Sequence, residues 1–126
     1  MAYFIAHHEA EGIIEIKFDG VFDLSTAQAA MRDSVACAVE KQCYHMLSDL
    51  RTVTMTLKVF EIFMLPTYLE KIAAEAGLNA HQVHHALLAE PGRNISFYEN
   101  TFYNRGYKVM AFTDPAAAKT WLRDGK

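Results

Sequence analysis

Residues 45–77 read HMLSDLRTVTMTLKVFEIFMLPTYLEKIAAEAG. The opening HMLSDL, residues 45–50, is a short apolar run of strand length. Thr52 to Thr56 follows as a threonine-rich turn. From Leu57 to Ala76 the apolar residues recur at helical spacing, and Gly77 supplies a left-handed stop. Strand, turn and helix make one βα unit. Working outward, the pattern repeats on both sides.

Toward the carboxyl terminus, residues 84–90 (HHALLAE) form a strand closed by Pro91-Gly92, and a helix over about 94–105 stops at Gly106. YKVMAF, residues 107–112, is a further strand. Thr113-Asp114-Pro115 then opens the last helix, which carries Trp121 and Leu122, because aspartate caps well and proline suits the first helical position. Toward the amino terminus, residues 3–8 and 12–19 are two strands joined by a polar link, and Asp19-Gly20 breaks the second. Asp23 or Ser25 caps a helix running to Lys41, with Ala27, Met31, Val35 and Ala38 on one stripe. The order ββαβαβαβα predicts an α/β fold: one mixed, mostly parallel five-stranded sheet with four helices. The chain of 126 residues, 1–126, reads as a single domain.

Composition excludes several classes. Hydrophobic residues make up 52% and charged residues 21%, with a formal net charge of -3. The cations are scattered singly, which argues against nucleic acid as a partner. No segment is long and apolar enough to span a membrane, and the MAYFIAHHEAEG start is no signal peptide, so a cytoplasmic location is expected. On that reading the Asn94-Ile95-Ser96 glycosylation triplet is fortuitous. Cys37 and Cys43 are too few for a metal quartet or a disulfide framework. His81, His84 and His85 form H-x-x-H-H, but His84 and His85 point to opposite faces of a strand and cannot share an ion there. Neither a metal nor a cofactor is expected. No paired carboxylates, nucleophile elbow, glycine-rich phosphate loop or nucleophile–histidine constellation is visible, so the chain does not read as an enzyme.

Gly20 after the second strand, Met46-Leu47-Ser48-Asp49-Leu50-Arg51 closing the third, and the ending Gly106-Tyr-Lys-Val-Met-Ala-Phe-Thr-Asp…Ala118-Lys-Thr-Trp121-Leu122 carry a resemblance. In this order, over nearly the whole length, the chain resembles the small bacterial SpoIIAA-like proteins, relatives of the STAS domains. The resemblance implies a SpoIIAA-like fold, with an architecture also similar to CRAL-TRIO lipid-carrier domains. In STAS-type antagonists a kinase phosphorylates a serine in an Asp-Ser pair at the start of the second helix. The equivalent stretch here holds Thr52, Thr54 and Thr56 and no such pair; Thr56 reads as a helix cap.

The second helix carries the candidate site. At 100° per residue, Ile62, Leu65, Leu69, Ile72, Ala73 and Ala76 form a sufficient core face. Val59, Phe60, Phe63 and Met64 point elsewhere, and Pro66 lies between the halves as a potential hinge. Those four side chains either pack under a loop, form a subunit interface, or close over a nonpolar ligand or membrane surface. The leading expectation is a carrier of a nonpolar, lipid-like molecule. Leu57, Val59, Phe60, Phe63, Met64 and Tyr68 would form its lid and Asp49 and Arg51 its polar rim, with peripheral contact at the inner membrane and a homo-oligomeric state. The alternative is a STAS-type protein-interaction module using the same face.

Overall fold

The computed structural model of the chain describes residues 2–93 and 95–124. The elements are β1 (Tyr3–His8), β2 (Ile13–Phe22), α1 (Leu24–Lys41), β3 (His45–Met55), α2 (Val59–Ala76), β4 (His84–Leu88), α3 (Ser96–Tyr103), β5 (Lys108–Phe112) and α4 (Pro115–Asp124). A single turn of 3-10 helix covers Ala80–Gln82. Asn94, placed by the sequence at the start of the third helix and of the glycosylation triplet, lies outside the described residues.

The strands lie across one sheet in chain order, β1-β2-β3-β4-β5. β1 pairs antiparallel with β2, and each later pair is parallel. Every parallel crossover therefore steps one strand in the same direction. Crossovers of one hand then put α1, α2 and α3 on one face, and α4 after the last strand is left for the other. The buried residues divide accordingly. Ile14, Ile16, Phe18, Met46, Leu50, Leu87 and Val109 share a core with Ala27, Val35, Ile62, Leu65, Tyr98 and Phe102. Ile13, Leu47, Ala86 and Leu88, the alternate positions, pack under Ala118, Trp121 and Leu122 of α4.

The helix ends follow the sequence signals closely. Asp23, not Ser25, caps α1, its carboxylate accepting the Thr26 N–H at 2.9 Å. The Asp114 carboxylate accepts the N–H groups of Ala116 and Ala117 at the start of α4. Gly77 closes α2 at φ 81°.

Both central strands run further than their sequence pattern indicates. β2 continues through Asp19-Gly20 to Phe22, and the segment expected to be a threonine turn is the second half of β3. Asp19 pairs with Thr52, Val21 with Thr54 and Phe22 with Met55. The register explains the misreading. Between two paired positions β2 advances from Lys17 to Asp19 while β3 advances from Asp49 to Thr52, so β3 carries one extra residue. Leu50 and Val53, three apart, consequently face the same core. A search for alternation stops at that bulge. Gly20 sits opposite at φ 85°, a conformation that disfavours side chains with a Cβ.

Candidate functional site

The expected polar rim lies on the wrong face of the sheet for the role it was given. Met46 and Leu50 point toward α1–α3, so Asp49 points to the α4 side, away from α2. Its carboxylate is buried and accepts four hydrogen bonds: from the Arg51 N–H at 3.1 Å, Arg51 Nε at 3.0 Å, Arg51 Nη2 at 2.9 Å and Lys17 Nζ at 3.1 Å. Burial alone would raise the Asp49 pKa; the Arg51 and Lys17 hydrogen bonds outweigh it and hold the group at about 2. The cluster ties β2 to β3 beside the bulge. Asp49 and Arg51 form a structural clamp, and they do not rim the apolar face of α2.

A second polar pair escaped sequence reading. Ser48 Oγ lies 2.6 Å from His85 Nε2, joining β3 and β4 on the α1–α3 side. Burial pushes the His85 imidazole down to about 4, so the ring is neutral at pH 7. It borders two small hollows of about 40 and 30 Å³, the first also lined by Met31, Leu69 and Phe102, the second by Phe18, Leu50 and Tyr98. Each is room for a few water molecules and not for an acyl chain. A one-dimensional pattern could not reveal the pair, because its members sit 37 residues apart on neighbouring strands. Across the same ladder His84 faces Trp121 of α4, so the two consecutive histidines do part to opposite faces.

The outer surface of α2 is different in kind. Val59, Phe60, Phe63 and Met64 are 67, 62, 63 and 64% exposed, while Ile62 and Leu65 beside them are buried. Phe97 on α3 is exposed as well. Two open clefts flank the helix. One, about 450 Å³, runs along Leu24 and Gln28 of α1 and is walled by Phe60, Met64 and Tyr68; the other, about 410 Å³, lies between Phe63 and the Phe97, Asn100 and Asn104 side of α3. Phe63 and Arg105 border both.

Other members of the expected lid are placed differently. Leu57 precedes the helix and packs against the main core, as Tyr68 does in part. Tyr68 Oη accepts a hydrogen bond from Arg32 Nη2 of α1 at 2.6 Å. Ala76, assigned to the core face, is exposed. The helix is continuous through Pro66, which is fully buried, so the chain does not break there. Tyr107 Oη donates to the Pro66 carbonyl at 3.4 Å and Arg105 Nη2 to Thr67 Oγ1 at 3.1 Å, so the connection between α3 and β5 holds α2 at its middle.

At the start of α2 the capping residue is Lys58, not Thr56, and its N–H is taken by the Glu61 carboxylate at 2.8 Å. Thr52 Oγ1 donates to the Phe18 carbonyl at 3.1 Å, and the Thr56 N–H to the Phe22 carbonyl at 3.1 Å. All three threonines belong to the β2–β3 pairing or its immediate end. None sits on the first turn of the helix.

With this geometry the relationships of the fold are clear. The chain superimposes on an anti-sigma factor antagonist from Mycobacterium paratuberculosis with a TM-score of 0.60 and 18% identity, over 97% of this chain and 93% of that one. The fold is SpoIIAA-like. The anti-sigma factor antagonist SpoIIAA in its unphosphorylated form matches with a TM-score of 0.53 and 12% identity, over 94% of this chain and 96% of that one. The phosphorylated form of SpoIIAA, a Bacillus cell fate determinant, gives 0.52 and 11%, over 94% and 98%. No protein-family model matches the chain, and no curated protein matches it. The likeness to CRAL-TRIO carriers gains no support from these structures. Among the described residues no helix is long and apolar enough to cross a membrane.

Proposed function

We propose that the protein is a regulatory protein-interaction module of the STAS type that acts by docking and carries out no chemistry itself. The observation that carries this reading is the outer face of α2: four large apolar side chains exposed beside two open clefts, on a helix whose inner face already fills the core. Exposed apolar patches of this kind on soluble domains mark interaction sites. The SpoIIAA-like fold supports the same reading, since proteins with that fold include anti-sigma factor antagonists. The interior gives the carrier reading no support, because its hollows of about 40 and 30 Å³ have no room for a lipid-sized ligand.

Docking here does not depend on a phosphoryl switch at the start of α2. The stretch Thr52 to Lys58 lacks an Asp-Ser pair, and the helix entrance is already occupied by the Glu61 carboxylate. The test is co-purification from the native host. Tagged wild-type protein should retain a protein partner in near-stoichiometric amount, and Phe60→Asp plus Phe63→Asp should lose it while keeping the wild-type circular dichroism spectrum. A partner retained by the folded double variant, or no partner with the wild type, contradicts the reading.

A further inference from the structure

The two edges of the sheet are finished differently. β5 forms one edge, and there the Ala111 N–H is taken by the Glu99 carboxylate of α3 at 2.7 Å. β1 forms the other. The Asp19 N–H donates to the Ala2 carbonyl at 2.8 Å, one step beyond the Tyr3–Phe18 pair, so the even-numbered residues of β1 exchange their backbone hydrogen bonds with β2. The N–H and C=O groups of Tyr3, Ile5 and His7 therefore point out of the sheet. Among the described residues nothing pairs with that edge. Exposed edges are commonly blunted by lysine, proline or a bulge. β1 reads YFIAHH, in unbroken register with β2, and has none of the three.

We infer that β1 is a self-association edge, through which two copies of the chain pair antiparallel about a two-fold axis at Ile5 and join their sheets into one. The seam shares no residue with the clefts beside α2, so the inference stands apart from the docking function proposed above. What selects a second copy is the fit of this strand to itself. With Ile5 opposite its own counterpart, Tyr3 opposite His7 and His7 opposite Tyr3, all three outward residues are paired and about six N–H···O=C bonds form. Moving the axis to Phe4 or Ala6 leaves His7 or Tyr3 without a partner in the strand. In the Ile5 register Phe4, 57% exposed, lies opposite Ala6 on the α4 side, a large side chain beside a small one.

The charged groups beside the seam suit the same pairing. His7 and His8 are the only ionisable side chains of β1 besides the Tyr3 phenol. His8 is engaged by Glu15 at 2.8 Å, and Lys17, across from Phe4 on β2, by Asp49 at 3.1 Å. Among the described residues the His7 side chain has no partner. It lies on the α1 side with Tyr3 and Ile5, where Tyr3 Oη donates to Asp33 Oδ2 at 2.5 Å. A carboxylate can accept further hydrogen bonds. His7 of one copy, facing Tyr3 of the other, comes alongside that copy's Tyr3–Asp33 pair as a donor, and the symmetry repeats the contact. The register sets no like charges directly opposite each other. Ala29 and Ala36, exposed on α1 one turn to either side of Asp33, are small enough for the two α1 helices to flank the seam.

Sedimentation of the intact protein at about 100 μM should give a dimer. Ile5→Pro should give a monomer with the wild-type circular dichroism spectrum, because the N–H it removes points out of the sheet and edge strands tolerate proline. Disulfide trapping reads the register. Phe4 and Ala6 of the two copies form a non-hydrogen-bonded pair with Cα atoms about 4.5 Å apart, within disulfide reach. An oxidised mixture of Phe4→Cys and Ala6→Cys proteins should yield a covalent dimer that neither variant yields alone. If Ile5→Pro fails to fold, the cysteine mixture decides by itself. A monomeric wild type, a dimer that survives folded Ile5→Pro, or no cross-link specific to the mixture overturns the inference. So does a dimer dispersed by Phe63→Asp, which would place the contact on α2.

Discussion

Leu65→Ala should lower the unfolding free energy by about 3 kcal/mol, whereas Phe63→Ala, two residues earlier on the same helix, should change it by less than about 0.5 kcal/mol. Leu65 has 0% of its surface exposed and sits in the main core, so truncation removes buried methyl groups and leaves a void between α2 and the sheet. Phe63 is 63% exposed, and little of its ring is lost from packing when it is shortened. Urea denaturation of the three proteins measures both effects. Their contrast carries the functional argument, because it separates the face that builds the fold from the face available to a partner. If the two substitutions cost similar amounts, Phe63 belongs to the core and the outer face is not a free surface.

The second large effect is a loss of stability in mild acid that is traceable to one histidine. His85 in the folded chain is held near 4 by burial, against an ordinary value of 6.5. Below pH 6.5 the unfolded chain therefore takes up a proton that the folded chain refuses. Its contribution is complete above that pH and falls by up to about 1.4 kcal/mol per pH unit until the folded group titrates near 4. The total loss is about 2–3 kcal/mol. Asp49 acts in a lower window: its stabilisation, present at neutral pH, disappears only as pH falls from 3.8 to about 2. His85→Gln keeps a hydrogen-bonding group for Ser48 and has nothing to titrate. Denaturant midpoints across pH 4–7 should therefore slope in the wild type and flatten in this variant. A slope of equal size in both would place the acid sensitivity elsewhere.

Most of the fold is legible in the sequence because it rests on local signals. Asp114 before Pro115, Gly77 and Gly106 after apolar runs, and the alternation of Ile14, Ile16 and Phe18 each express a short-range constraint. The errors fall where the constraint is nonlocal. The second half of β3 was hidden because its bulge shifts the alternation after Leu50, and only pairing with Asp19 to Phe22 of β2 makes Thr52 to Met55 a strand. Pro66 signals a break by its chemistry, yet burial and hydrogen bonds from Arg105 and Tyr107, in the connection between α3 and β5, hold the helix through it.

The candidate site was legible in part and for a clear reason. A helix with one sufficient core face leaves its remaining large apolar groups identifiable by angle alone, which is how Val59, Phe60, Phe63 and Met64 emerge. What lies beside them is tertiary. Leu57 and Tyr68 share the apolar character of that group but turn toward the main core, and Asp49 and Arg51 sit on the opposite face of the sheet. The sequence could not show that the clefts are open or that the interior is nearly filled, and on those two observations the proposed reading moves from lipid carriage to protein docking.

The most direct measurement of that claim is photo-crosslinking in the native host with p-benzoylphenylalanine placed singly at Phe63 or at Met110, an exposed residue of β5. The docking account predicts a discrete protein adduct from position 63, absent from position 110 and lost when Phe60→Asp is added. Adducts that are lipid alone, adducts only with a second copy of this chain, or the same protein adducts from both positions would contradict it.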